Sequence, residues 1–420
     1  MTHKSIMPRP IIFIEQYYFP EGWSGAQIPR DITMGLANAG YQVSVVCGRD
    51  QYVAVDSPGG ASSSEDPGKS GVKISYVPKL PPFLHRPKGL LSQFWFSVVA
   101  FAFVLFHARR TILMVQTNPP LNVVAAGAMA LFLRRRVILI AQDLYPEVMI
   151  AHGMIRKGSR AAGVLTAMYR WAYRRAACVV SLGPTMSARL RDKGVAAGRL
   201  REISNWATGD LQLVRGPFNR LRTEWDLSDK FVVLYSGNLG RAHDAETMLR
   251  AIAVARTSLS GLRMVIIGTG SRIAEAQELV RSLAIEDLVL FKPWMPDHLV
   301  PLSLGVADMG IVSLLPGFDG LVVPSKLLGQ MARGIPTVYV GPKNSDVDRL
   351  ISKSGGGISI DNGEHLELAA RLVEFASEPA ALKQMGESAM SYYRQHLCRE
   401  IGLEGYRSIV ASVAGSECAT

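Results

Sequence analysis

Cysteine is scarce. Cys47, Cys178, Cys398 and Cys418 are scattered through 420 residues, with no Cys-x-x-Cys pair and no Cys/His cluster. That argues against a zinc site and a disulfide framework, and fits a reducing cytoplasm. Charged residues are also few, 19% against 48% apolar, which excludes a disordered or fibrous chain. The basic N-terminus leads only into a short apolar stretch, residues 11–14, before Glu15. A secretory signal needs a longer apolar core, so a first buried strand is expected there. What charge there is divides unevenly. Residues 1–215 hold 26 Lys and Arg against 12 Asp and Glu, and the remainder holds 20 against 23. An anionic surface is therefore expected to meet the first half.

At this length two domains are expected rather than one core. Short β-branched runs alternate with helical segments throughout, the pattern of parallel sheets with crossover helices. The first set of strands is expected at 10–15, 42–47, 73–77, 111–117, 136–141 and 177–182. A second set follows at 231–236, 263–268, 288–291, 309–314 and 337–340. Residues 211–229 read as a linker with one short helix, and 57–69 as a polar Gly/Ser loop. The fold class is α/β, two Rossmann-like doubly wound domains whose strand ends face a central cleft. The expected boundaries are 1–215 and 216–389.

Residues 90–106 (LLSQFWFSVVAFAFVLF) are nearly continuous apolar, with Arg86, Lys88, Arg109 and Arg110 as flanks. Three readings stay open: a buried crossover helix, a helix packed on the sheet that also dips into a membrane interface, and a short span. A span would separate the strands at 73–77 and 111–117 across a membrane, so they could not share a sheet. The basic flanks, Arg134, Arg135 and Arg136, and the basic stretch 156–175 favour docking on anionic lipid over nucleic acid.

Polar chemistry collects where strands end. The first strand runs into a loop with Gly22 and Gly25 before a helix at about 26–39, either a plain tight turn or a lining for an acceptor or phosphate. Its spacing and the bulk of Trp23 do not fit a dinucleotide fingerprint. The fifth strand ends at Asp143, which either caps the next helix or acts on substrate. In the second half, Gly237, Asn238, Gly240, Arg241 and His243 follow the first strand and could meet a diphosphate. Gly268 opens a short glycine loop. Pro324 marks a helix start, placing Ser325 and Lys326 in its first turn. A cation there opposes the helix dipole, which is expected only if an anion binds between them. Trp294, beyond another strand, either borders a nucleotide base or packs. Asp346-Val347-Asp348 has the spacing of a metal-binding Asp-x-Asp motif on an architecture that does not use it, so no metal is expected there.

Together with Gln142-Asp143-Leu144-Tyr145-Pro146-Glu147, the opening Tyr18-Phe19-Pro20 and the run from Gly40 to Gly48, these motifs make the chain resemble glycosyltransferase family 4. More narrowly, it is similar to the branch for colanic-acid and O-antigen type polysaccharides. The resemblance covers about 11–410. It implies the GT-B fold, a nucleotide-sugar donor in the second domain and a lipid-linked or other saccharide acceptor in the first. It also implies transfer with retention and no metal or other cofactor. A terminal helix, 390–410, is expected to cross back to the first domain. The implied location is cytoplasmic, at the inner face of the cell membrane. The family's two glutamates, eight residues apart, fall on Leu321 and Gly329, and its phosphate-loop Arg and Lys fall on Asn238 and His243. Lys326 and Arg241 are the expected replacements for the lost charge. With Asp143, which steadies the sugar's positive charge or orients the acceptor, they form the expected catalytic set. The competing readings are a non-catalytic scaffold of a polysaccharide-assembly complex and a nucleotide-sugar 2-epimerase.

Overall fold

The computed structural model describes residues 9–18, 24–48, 71–80, 90–106 and 111–415. The 57–69 loop, Gly22 and the basic flanks of the apolar segment lie outside them.

The first sheet holds β1 (Ile11–Ile14), β2 (Val43–Gly48), β3 (Lys73–Val77), β4 (Ile112–Gln116), β5 (Arg136–Ile140), β6 (Cys178–Ser181) and β7 (Leu200–Glu202). Its order is β3-β2-β1-β4-β5-β6-β7, parallel throughout. Helices α1 (Ser24–Asn38), α2 (Leu90–Leu105), α3 (Leu121–Phe132), α4 (Glu147–Ala151), α5 (Arg160–Arg175) and α6 (Pro184–Asp192) make the crossovers. The second sheet holds β8 (Phe231–Ser236), β9 (Leu262–Ile267), β10 (Val289–Lys292), β11 (Met309–Ser313), β12 (Thr337–Val340) and β13 (Gly357–Ile360). Its order is β10-β9-β8-β11-β12-β13, again parallel. The helices here are α7 (Arg220–Glu224), α8 (Ala245–Ala255), α9 (Ile273–Ser282), α10 (Val300–Leu304), α11 (Ser325–Ala332), α12 (Asp346–Ser354) and α13 (His365–Ser377).

Strands β1, β4 and β11 are buried along their whole length, as expected for parallel strands covered on both faces. Strand order reverses between β1 and β4 and again between β8 and β11. Those two switch points open crevices beyond the strand carboxyl ends. The loops after β1, β5, β8 and β9 and the start of α11 all belong to these ends.

Helix α2 resolves two of the three readings of the apolar segment. It has 16 residues, and at ~1.5 Å per residue that is about 24 Å, short of a ~30 Å hydrocarbon core. No helix among the described residues is long and apolar enough to cross a membrane. Strands β3 and β4 also sit in one sheet, so the span reading is overturned. The crossover of the first reading is present, but the helix is buried on one face only. Phe96, Ala100, Phe101 and Val104 pack inward, while Leu91, Phe94, Trp95, Val98 and Leu105 are exposed.

The expected terminal helix is divided. Helix α14 (Pro379–His396) stays against α11, and after a break at Leu397 the helix α15 (Arg399–Gly415) packs on α1 and β4. There Trp206 donates to Asp31 at 2.9 Å, and Arg399 pairs with the same carboxylate at 3.2 Å.

The two lobes also touch across the cleft. Asp346 Oδ1 accepts from the Thr185 amide and hydroxyl, each at 2.8 Å, so a side chain of the second lobe serves the first turn of α6. Arg349 braces both partners. The residues that resemble a metal motif are thus an interlobe contact and, at Asp348, a local acceptor for the Asn344 amide. Asp346→Ala leaves a partly buried amide and hydroxyl without their acceptor, at a cost of about 1–2 kcal/mol. A lower Tm and a larger radius of gyration by X-ray scattering are expected; unchanged values of both would refute a closing role.

Candidate active site

The second lobe's share of the cleft is built by backbone packed against backbone. Leu239 donates to Thr269 O at 2.7 Å, and Gly237 donates to Ile267 O at 2.8 Å. A Cβ on Gly268 would sit 2.4 Å from Gly237 O, and one on Gly270 would sit 2.2 Å from Leu239 O. Both glycines also have positive φ, 135° and 147°. No side chain fits at either place, so the two loops close into one floor.

Over this floor lies Lys326. It is the second residue of α11, whose start no side chain caps, so the first amides of the helix face the crevice unpartnered by side chains. The Lys326 stem crosses Gly237, where a Cβ would come within 2.5 Å of Cε. Nζ donates to Asn238 O at 3.0 Å, meets His243 Nε2 at 3.1 Å, and stands 5.0 Å from the Tyr235 ring centre. His243 Nδ1 lies 2.8 Å from Ser313 O. A carbonyl only accepts, so Nδ1 carries the proton and Nε2 offers its lone pair to Lys326. Burial, then the nearby Lys326 charge, push His243 down to about 3, so the imidazole is neutral. Burial alone pushes Lys326 down to about 7.

Asp244, the nearest acid in sequence, is occupied with Thr247 and Asn362 and caps α8. Arg272 donates to His243 O at 2.7 Å and pairs with Glu275. Tyr235, Ser313 and Arg272 were not singled out from sequence. Their signal is tertiary: Ser313 meets a histidine 70 residues away.

The first lobe's share centres on the end of β5. Thr117 Oγ1 accepts from the amides of Gln142 and Asp143 at 3.2 and 3.3 Å and holds that turn. Gln142 and Asn205 exchange side-chain amide hydrogen bonds of 2.9 and 3.3 Å. Asp143 does not cap α4: Pro146 precedes that helix and no side chain caps it. Of the two roles open from sequence, the structural one is therefore absent. Burial pushes the Asp143 carboxyl up to about 6. The Leu144 amide donates to Leu321 O at 3.1 Å, joining this turn to the segment that leads into α11.

Among the other expected residues, Gly25 lies in the first turn of α1 and Pro324 sits buried just before α11 with Ser325 beside Lys326. Trp294 stands in the loop after β10, 40% exposed and outside the core. Arg241 is turned elsewhere: its guanidinium donates to His152 O in the first lobe at 3.0 Å. His152 in turn lies against Phe318, ring centres 4.9 Å apart.

Two family models match the chain: "Glycosyl transferase 4-like domain" over residues 25–206 and "Glycosyl transferases group 1" over 218–391. The chain belongs to the family 4 glycosyltransferases. Among relatives of this glycosyltransferase, "Probable glycosyltransferase WbjE" of Pseudomonas aeruginosa is 27% identical over 329 residues, 76% of this chain and 78% of the relative. WcaI of Escherichia coli K12, named for colanic acid biosynthesis, is 27% identical over 46% of this chain and 48% of its own. Among solved structures, Anabaena HepE in complex with UDP and glucose aligns with a TM-score of 0.70 at 16% identity, over 96% of this chain and all of that one. WaaG, a lipopolysaccharide-biosynthesis glycosyltransferase, aligns at 0.65 and 14%, over 97% and 100%. These likenesses establish the GT-B fold.

Leu321 and Gly329, where the resemblance to the family sets its two glutamates, have other uses in this chain. Leu321 is 3% exposed, packs into the first lobe's core and gives its carbonyl to Leu144. Gly329, in α11, gives its carbonyl to Arg333 at 3.0 Å. Neither place carries an acid.

Proposed function

We propose that this glycosyltransferase moves a sugar from a nucleoside diphosphate sugar to a saccharide acceptor, lipid-linked in cell-surface polysaccharide assembly, with retention at the anomeric carbon. The observation that carries the reading is Lys326: a cation at an uncapped helix start, over a glycine floor, with only neutral neighbours among the described residues. Breaking the sugar–phosphate bond sends negative charge onto the leaving diphosphate. Lys326 and the amides of Gly237, Asn238 and α11 meet that charge in a closed cleft that excludes water. Pro324 and Ser325 shape the approach, Gly268 seals the floor, and Trp294 borders the base. Residues 216–389 hold the donor. Residues 1–215, with the terminal helix, hold the acceptor beside Gly25, and Asp143 steadies the oxocarbenium-like sugar or orients the attacking hydroxyl. Arg241 is assigned to closing the lobes through His152. HepE's complexes with UDP and with UDP-glucose support the donor class, and the names of WcaI and WaaG support the assembly role. The test is release of free nucleoside diphosphate from UDP- or GDP-sugars on adding a lipid-linked saccharide. Nucleotide binding without any acceptor-dependent release would refute transfer.

The reading extends to the membrane. Besides the outer face of α2, Phe132 at the end of α3 and Val164 and Met168 on α5 are exposed, and α3 packs on both α2 and α5. Arg134, Arg156, Lys157 and Arg160 are exposed on the same elements or beside them. Apolar residues among cations suit the interface of an anionic bilayer. Binding to phosphatidylglycerol vesicles that weakens between 0.1 and 0.5 M salt, where the Debye length falls from ~10 Å toward ~4 Å, is expected. Phe94→Ser with Phe132→Ser is expected to weaken it about tenfold at constant salt, at about 1.4 kcal/mol in all. No binding at low salt would refute the membrane role.

A further inference from the structure

Resting on the donor site just described, we propose that His243 is a positioning residue which holds the Lys326 amine before a donor binds. Arrival of a diphosphate then draws that amine away and loads it with one proton from solvent. The geometry has three parts. The imidazole presents a lone pair, fixed by the bond from Nδ1 to Ser313 O, so it accepts equally from an amine or an ammonium. The other neighbours of Nζ, the Asn238 carbonyl and the Tyr235 ring, are also uncharged. The start of α11 sets its positive end beside the same nitrogen.

Among the described residues, the charged groups on the surrounding elements do not supply a counterion. Asp244 on the β8 loop is held by Thr247 and Asn362, and Glu275 by Arg272 on α9. Arg272 itself, donating to His243 O, adds positive charge. Arg241 is held by His152 O in the first lobe, and Arg333, just past the end of α11, by Thr208 O. Tyr235 is pushed well up by burial and stays protonated. Burial, with no opposing anion among the described residues, accordingly lowers Lys326 to about 7. A diphosphate brings that anion and raises it again. The step forms one N–H bond and breaks none in the donor: the lone pair of Nζ takes a proton from buffer, and the ammonium then meets the phosphate oxygens.

The sign follows from linkage. Below about pH 7 the ammonium is already present and binding takes up no proton; above it each binding event takes one up, so affinity falls as pH rises. Titrating UDP and GDP calorimetrically at pH 8, in buffers of different ionisation enthalpy, is expected to show uptake of about one proton per site for the nucleotide that binds. The terminal phosphate, with a second pKa of ~6, is already ionised at that pH and releases none. Uptake vanishes at pH 6, Kd rises about tenfold from pH 8 to pH 9, and Lys326→Arg abolishes the uptake because its guanidinium is charged throughout. Should that variant bind no nucleotide, the wild-type Kd series decides alone. His243→Leu removes an acceptor that competes with the arriving phosphate and is expected to lower KM for the donor with kcat within about threefold, whereas loss of a merely structural histidine would raise KM or lower Tm. Nucleotide binding with no proton uptake at pH 8 overturns the coupling alone. Failure of UDP, GDP and ADP all to bind overturns the donor site and the coupling with it.

Discussion

Lys326→Ala is expected to lower kcat/KM by about 10³-fold, or about 4 kcal/mol of transition-state stabilisation, in line with removal of one preorganised donor from a leaving group. The loss should fall on both kcat and donor affinity, because the diphosphate is present before and after the bond breaks and its charge grows between. Folding should not suffer. Lys326 makes no ion pair with a described residue and is pushed down to about 7 by burial, so its charged form is a desolvation penalty on the folded state. Below pH 7 the alanine variant is therefore expected to melt at the same temperature as the wild type or higher. A transfer assay with a melting curve separates the outcomes: inactive and folded supports the phosphate role, whereas active and folded removes it.

The second large effect belongs to Asp143. Its carboxyl is pushed up to about 6 by burial and does not serve as a helix cap. Asp143→Asn keeps the shape and removes the charge, so kcat is expected to fall about 10²–10³-fold. The pH profile carries a further signature. Wild-type activity should drop as pH falls through about 6, where the carboxylate is protonated, and this acid limb should vanish in the variant. Stability moves the opposite way. A carboxyl raised above its unfolded value favours the folded state only while protonated. The wild type thus loses stability as pH rises from about 4 to 6, by up to about 3 kcal/mol, and asparagine is spared that loss. An asparagine variant with full activity and an intact acid limb would remove Asp143 from the chemistry.

The free enzyme then needs Asp143 ionised and Lys326 protonated, with values of about 6 and about 7. Acceptor-saturated kcat/KM for the donor is expected to peak between them, while kcat keeps its activity further into the alkaline range once the bound diphosphate holds the ammonium.

Sequence made the architecture legible because parallel strands buried on both faces read as apolar runs: β1, β4, β5, β8 and β11 stand where those runs stand. Two strands were hidden. β7 has three residues at a sheet edge, too few to show a pattern. β13 begins at Gly357, where a Cβ would lie 1.8 Å from Thr337 O, so the glycine that reads as a loop is what lets the strand pair. Lys326 was visible because Pro324 announces the helix it opens. Its surroundings were not, since His243 lies 83 residues away and the Asp346 contact to Thr185 spans 161. Arg241 shows the same limit from the other side: its position in the loop suggested a phosphate, and only the packing of the lobes reveals His152 as its partner. The missing family glutamates also gain a reason. Leu321 is consumed in joining the lobes, and Lys326 reaches from α11 into the space beside His243.

Side-by-side calorimetric titration of UDP and GDP into the wild type and Lys326→Ala at pH 7 tests the phosphate grip most directly. One nucleotide should bind the wild type and lose at least about 100-fold in affinity, about 2.7 kcal/mol, in the variant. Equal affinity in both proteins would contradict it.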